Sequence, residues 1–330
     1  MNKTSNHILS VAKPGDSPNY LFKNSSGELQ ETGQSAGVWG DYNPRRYFDR
    51  WVNAYFGPLY AHTIGSTWAD FDNDGNFDLW VSNLAHKYVG PTGGGQPDFR
   101  GYICDDSKIY RNTGKPDYNF VDMREVSGIP KKPIGERDVY QGDELWSHAT
   151  AADFDNDGLT DVYVPQTYDL PYSYSLLSKN QGGFRFSEVS EKAGTRVWDT
   201  HAGAWADIDN DGKMDLITAG KDRVDGKLTV RLLRNILQTG NHFLRIKLIG
   251  SKSGRTSFTT QVRAFVQGGG RLLRQLEGTT GTLNQQNDPT IHFGLGTANR
   301  VERLEVRWTS GQVQVLKDLQ VDRTYVVQEP

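Results

Sequence analysis

The chain has 330 residues, with 37 basic and 40 acidic side chains, a formal net charge of −3, and 36 Gly, 15 Tyr, 14 Phe and 8 Trp. That balance offers no bulk attraction for nucleic acid, and the aromatic content excludes a disordered chain. No apolar run approaches the roughly 20 residues that span a bilayer, and the single cysteine, Cys104, excludes a disulfide framework or a cysteine zinc site.

The opening stretch, MNKTSNHILSVAKPGDSPNY, has neither the basic start nor the long apolar segment of a secretory leader. As given, the chain is expected in the cytoplasm, or in the periplasm or outside the cell if a leader has been trimmed. A hairpin-like segment, LFKNSSGELQETGQSAG, comes next. It is followed by NPRRYFDRWVNAYFGPLY, where Arg45, Arg46, Arg50, Trp51 and Tyr55 crowd together.

Three near copies of one motif then divide the chain: ADFDNDGNFD, ADFDNDGLTD and ADIDNDGKMD, beginning at Ala69, Ala152 and Ala206. A short β-type run follows each (LWVSN, VYVPQ, LITAG). Next comes a second hairpin-like segment, clear after the first two copies and shortened to LLRNILQTGNHFLRI after the third. Asn24, Asn112, Asn180 and Asn235 mark the turns of the four hairpins, where Asn tolerates unusual backbone angles. One unit is therefore strand, aspartate loop, strand, hairpin. Four strands in about 40 to 50 residues is the pattern of a propeller blade. The first unit is lengthened by HKYVGPTGGGQPDFRGYICDD, a Gly- and Pro-rich insertion expected on the surface.

Within each loop, positions 1, 3, 5 and 9 are carboxylates and position 6 is Gly. The three sets are Asp70, Asp72, Asp74 and Asp78; Asp153, Asp155, Asp157 and Asp161; and Asp207, Asp209, Asp211 and Asp215. Carboxylates this close repel unless a cation sits among them. All-oxygen donors, with backbone carbonyls at position 7 (Asn76, Leu159, Lys213), suit Ca2+, while the lack of Cys or His disfavours zinc and copper. An EF-hand would need Glu at position 12, which is Val81, Val164 and Thr218. Filling all three loops would move the formal charge from −3 to +3.

The loops resemble the FG-GAP/VCBS repeats of integrin-α-like β-propellers. IHFGLG (Ile291–Gly296) and LEVRWTSGQVQVL (Leu304–Leu316) resemble the ASPIC/UnbV domain that often follows them. FTTQVRAFV (Phe258–Val266) departs from that pattern, which usually has Gly-Ala before its valine. The resemblance implies an all-β chain: a propeller of four-stranded blades over residues 1–240, with three complete units and the N-terminal hairpin, and a small β domain over 241–330. It also implies that the three ions are structural. Closure of the ring is left open among that hairpin, the C-terminal domain and a second subunit.

The resemblance further implies that the segment before each loop enters an innermost strand at an axial funnel. His62, His148 and His201 stand there, with Glu144 and Asp199 nearby in sequence, as candidate acids and bases or ligands of a further metal; the plainer reading is a packing histidine repeated with its blade. Tyr168, Tyr172 and Tyr174, with the Arg- and Trp-rich stretch before them, suit a sugar or an aromatic, polyketide-like molecule; the plainer reading is packing at blade junctions. Two functions are expected. One is a biosynthetic or sugar-modifying enzyme of lyase, isomerase or cyclase type, and the other an extracellular adhesion or carbohydrate-binding protein without catalysis. Neither needs a nucleic acid or a membrane, and a homo-oligomer is compatible with both.

Overall fold

Each aspartate loop reverses the chain between two strands, and the next apolar run extends the sheet outward. The computed structural model describes residues 18–40, 63–83, 107–129, 145–167, 173–223, 225–278 and 285–330, with the backbone of four two-residue strands between them. A hairpin of β1 (Phe22–Ser25) and β2 (Glu28–Glu31) leads into a one-turn helix, α1 (Gly33–Ala36). The short pairs β3 (Phe48–Asp49) with β4 (Ala54–Tyr55), and β7 (Pro91–Thr92) with β8 (Gln96–Pro97), lie in the insertions.

The first loop joins β5 (Thr63–Ala69) to β6 (Asp78–Asn83), and β9 (Lys108–Asn112) and β10 (Phe120–Asp122) complete a four-stranded sheet in the order β5-β6-β9-β10. The second sheet repeats it with β11 (Thr150–Ala152), β12 (Asp161–Val164), β13 (Leu176–Asn180) and β14 (Phe186–Glu188), followed by α2 (Ser190–Ala193). The third has only β15 (Gly203–Ala206), β16 (Asp215–Lys221) and β17 (Leu228–Leu233).

The hairpin expected at LLRNILQTGNHFLRI is thus split. Its return strand, β18 (His242–Ile249), pairs instead with β21 (Ile291–Gly296) and, in parallel, with β24 (Arg323–Gln328). The reason is burial: Leu244, Ile246 and Leu248 point into a core shared with a second C-terminal sheet. That sheet runs β20 (Arg271–Gln275), β19 (Gln261–Val266), β22 (Arg300–Arg307), β23 (Val313–Gln320). FTTQVRAFV supplies β19, its Val262, Ala264 and Val266 alternating into the same core around Trp308.

Between the first two sheets, Trp80 and Trp146 stack at 5.3 Å between centroids, flanked by Phe71, Phe184 and Phe186. Tyr163, Trp205 and Leu216 join the second sheet to the third. Leu21, Ala36 and Val38 bring the N-terminal hairpin and α1 onto the first sheet against Leu79 and Val81. The described chain is all-β in several sheets, and no helix within it is long and apolar enough to cross a membrane.

Candidate metal centre

The three loops share one geometry, and their own atoms build it. Position 1 accepts the N–H of the position-6 glycine: Asp70 from Gly75 at 3.0 Å, Asp153 from Gly158 at 2.8 Å, Asp207 from Gly212 at 2.9 Å. Those glycines have φ of +91°, +91° and +84°, which strongly favours Gly at position 6. Asn73, Asn156 and Asn210 at position 4 also lie in the left-handed region, at +58°, +61° and +60°. The unusual backbone angles therefore fall on these loop asparagines; none of the four hairpin asparagines has a positive φ.

Position 9 ties the loop to its sheet. Asp78, Asp161 and Asp215 accept the N–H of the position-2 residue through one oxygen. Through the other they accept the N–H of Asn112, Asn180 and Asn235, at 2.9, 2.8 and 2.7 Å. Each of these asparagines also donates its side-chain amide to the carbonyl of position 8. The hairpin asparagines are thus clamps on the loops.

One oxygen each of Asp70, Asp72 and Asp78 lies within 4.8 Å of the others, and the same holds for Asp153, Asp155 and Asp161 and for Asp207, Asp209 and Asp215. Two oxygens on opposite sides of a Ca2+ at about 2.4 Å lie about 4.8 Å apart, so this spread fits one cation. Asp70 Oδ1 and Asp155 Oδ1 are buried without a hydrogen-bond partner, as oxygens reserved for a cation would be. Burial pushes the Asp70 and Asp153 carboxyls up to about 7 and Asp78 to about 8, and raises Asp161 well above the carboxylate range. A metal reverses that cost by supplying the opposite charge. The residues present fit calcium.

Position 5 stands apart from these groups. Asp74, Asp157 and Asp211 accept the N–H of Asn76, Leu159 and Lys213 at 2.8, 2.9 and 3.0 Å. Lys213 also pairs its ammonium with Asp211 at 2.8 Å.

Cations that local sequence reading missed surround the loops. Arg111 reaches Asp72 at 2.7 Å and Asp74 at 3.4 Å, Lys179 bridges Asp155 and Asp157, and Arg234 meets Asp209 at 2.6 Å. Each immediately precedes a hairpin asparagine, so a repeated basic-Asn dipeptide was the available signal. Others come from the C-terminal sheets. Arg245 pairs with Asp207 at 2.9 Å and Asp288 at 3.3 Å, and Arg271 donates to the Asp74 carbonyl. The loops also bind one another, since Asn73 donates to Gly158 O at 3.1 Å and Asn156 to Gly212 O at 3.0 Å.

Of the candidate histidines, the two described, His148 and His201, meet different surroundings. His148 is fully buried against Gly65, where a Cβ would strike its ring, and neither ring nitrogen has a hydrogen-bond partner. Burial lowers its pKa to about 4. His201 is 59% exposed at its side chain, 3.7 Å from Asp199, which also lies 3.5 Å from Lys221. The Ser147 hydroxyl donates to the His201 carbonyl and joins the two segments. His62 and Glu144 lie outside the described residues.

Of the aromatic and basic candidates, Tyr174 packs edge-on to Trp198 at 5.9 Å beneath the Arg196 guanidinium at 4.2 Å, a junction contact. Arg45, Arg46, Arg50, Trp51, Tyr168 and Tyr172 fall outside the described residues, and Tyr55 is described only as backbone in β4.

Comparison with known proteins bears on both halves. Cartilage acidic protein 1 of Xenopus tropicalis is 24% identical to the chain over 302 residues, covering 90% of the chain and 38% of that protein. Cartilage acidic protein 1 of Mus musculus is 24% identical over 310 residues, with the same coverage of 90% and 38%. The chain therefore spans well under half the length of the curated relatives it matches. Residues 250–330, which hold β19 to β24, match the family model described as ASPIC and UnbV.

Proposed function

We propose that residues 1–240 are a calcium-stapled β-propeller segment of FG-GAP/VCBS type, that 241–330 are an ASPIC/UnbV-like domain, and that the whole is a binding module. The carrying observation is the threefold loop: each repeat gathers three carboxylates within 4.8 Å. Calcium there would fix the loop that joins two strands of a blade, and so hold the blades in register. The ions are structural, because backbone N–H groups tie the loop carboxylates to the loop and its sheet, and the oxygens left without a partner are buried rather than facing an open site.

An extracellular setting fits this reading. The similar proteins are named for cartilage, and millimolar calcium outside cells loads sites of modest affinity. The ligand we assign to the insertions that carry Arg45, Trp51 and Tyr168 is a sugar or an aromatic acid, for which planar rings beside guanidinium groups are suited. The alternative, an enzyme acting on such a molecule, is favoured by His148 alone, whose ring nitrogens are unpartnered.

Calorimetric titration of chelator-treated protein tests the calcium reading. Three Ca2+ per chain are expected, with a stability gain of about 8 kcal/mol when each site sees a hundredfold excess over its Kd. An unchanged melting curve after verified metal removal and return would sink it.

A further inference from the structure

The stacked sheets obey one packing rule, and that rule leaves two unmatched faces at the ends of the stack. The third residue of the strand after each loop points at the following sheet. Trp80 and Tyr163 are 0% exposed there, but Ile217 in the last sheet is 37% exposed. Their cross-strand partners are Ile109, Leu177 and Leu232. These are 0%, 3% and 55% exposed. Position 2 of the loops repeats the contrast, with Phe71 at 0%, Phe154 at 8% and Ile208 at 45%. The third sheet thus offers the same interlocking surface with no sheet upon it.

The complementary face is at the other end. Leu21-Phe22-Lys23-Asn24 aligns with the segments ending at Asn112 and Asn180. Leu21 packs forward onto the first sheet, as Ile109 and Leu177 pack onto theirs. Phe22 stands where Tyr110 and Ser178 face the preceding sheet; those are 3% and 1% exposed, whereas Phe22 is 56%. Leu29, opposite Asn24 in the register, matches Phe120 and Phe186. They are 8% and 5% exposed, and Leu29 is 68%.

We propose that these two faces meet between copies of this chain, the Ile217–Leu232 face of one covering the Phe22–Leu29 face of the next. Within one chain they stay apart, because the hairpin is already seated on the first sheet by Leu21, Ala36 and Val38 and both faces are exposed together. A second copy carries the same pair, so the contact is head-to-tail. A hydrogen bond specifies its register. Asn180 donates its side-chain amide to Phe71 O at 2.9 Å and Asn235 to Phe154 O at 2.6 Å, each reaching position 2 of the preceding loop. By the same rule Asn24 of one copy donates to Ile208 O of another.

Light scattering on the calcium-loaded full chain over a dilution series tests this. Two such contacts, each chain's Ile217–Leu232 face meeting the other's Phe22–Leu29 face, close a ring of two, so the mass of two chains is expected at high concentration. Leu232→Asp and Phe22→Asp should each return the single-chain mass with an unaltered circular dichroism spectrum. Mixing the two variants should restore the double mass, since each keeps the face the other has lost. A single-chain mass for the unmodified protein at every concentration overturns the proposal. So does association lost in Leu232→Asp but kept in Phe22→Asp, which would indicate a symmetric contact of third sheets, and so does a mixture that fails to associate.

Discussion

The first and third aspartate loops have the same carboxylate spacing and the same turn, yet they balance their charge differently. Asp70 is 1% exposed, and one of its oxygens has no partner. Asp207 is 5% exposed and already paired with Arg245 at 2.9 Å. The histidines upstream show the same contrast, since His148 before the second loop is sealed while His201 before the third is open. A repeated motif therefore fixes local geometry, while position in the stack decides how much water and which cations each copy meets.

The sharpest break in that comparison is the pair Asp70→Asn and Asp207→Asn, measured with and without calcium. In chelator, Asp207→Asn leaves the Arg245 guanidinium, 8% exposed at its side chain, with the 3.3 Å contact to Asp288 as its one remaining ion pair and a neutral hydrogen bond to Asn210 Oδ1. A loss of about 3–5 kcal/mol is expected in urea unfolding. Asp70→Asn removes a buried charge whose Oδ1 lacks a partner and whose attraction to Arg274 only partly offsets its burial, so without metal the change should stay within about 1 kcal/mol of neutral. With calcium both variants should bind one ion fewer. Equal losses in chelator would refute the contrast.

The next effect is read from pH. His148 has its pKa lowered by burial from 6.5 to about 4. The unfolded chain therefore takes up the proton first, so this residue's contribution is fully present above pH 6.5 and is lost as pH falls toward 4. The full shift corresponds to about 3 kcal/mol. With calcium holding the loop carboxylates ionised, His148→Gln should remove this contribution from the stability curve, leaving those of His292, whose pKa burial lowers to about 3, and of Glu277, which burial raises to about 7 and which acts in the opposite sense. An unchanged slope would mean that His148 is solvated.

Much of this arrangement was legible because it is local. Carboxylate spacing, glycine at position 6 and the flanking strands depend on residues within one loop and its neighbours, and all three copies agree. Non-local features were not legible. The segment HFLRI reads as the return of a hairpin, but a core built from residues up to Val327 captures it as β18. Arg271 reaches a loop carbonyl 197 positions away, which no spacing rule anticipates. The histidines before the loops read either as candidate acids and bases or as packing residues, and burial separates the two described ones, His148 sealed and His201 exposed. The hairpin asparagines were placed correctly but for the wrong reason: their value lies in the side chain, not in backbone tolerance.

The smallest predicted effect concerns the basic residue before each clamp asparagine. Lys179 is 24% exposed and holds both Asp155 and Asp157, whereas Arg234 is 65% exposed and meets Asp209 alone. An exposed pair gains little, because water screens it and two long side chains lose freedom. Arg234→Ala should therefore cost less than about 0.5 kcal/mol without calcium, and raised salt should erase even that. Lys179→Ala should cost about 1 kcal/mol and persist in salt, since its carboxylates are 13% and 27% exposed. If the two variants unfold alike at both ionic strengths, the cations are surface ornaments on every loop and the difference between the loops rests on Arg245 alone.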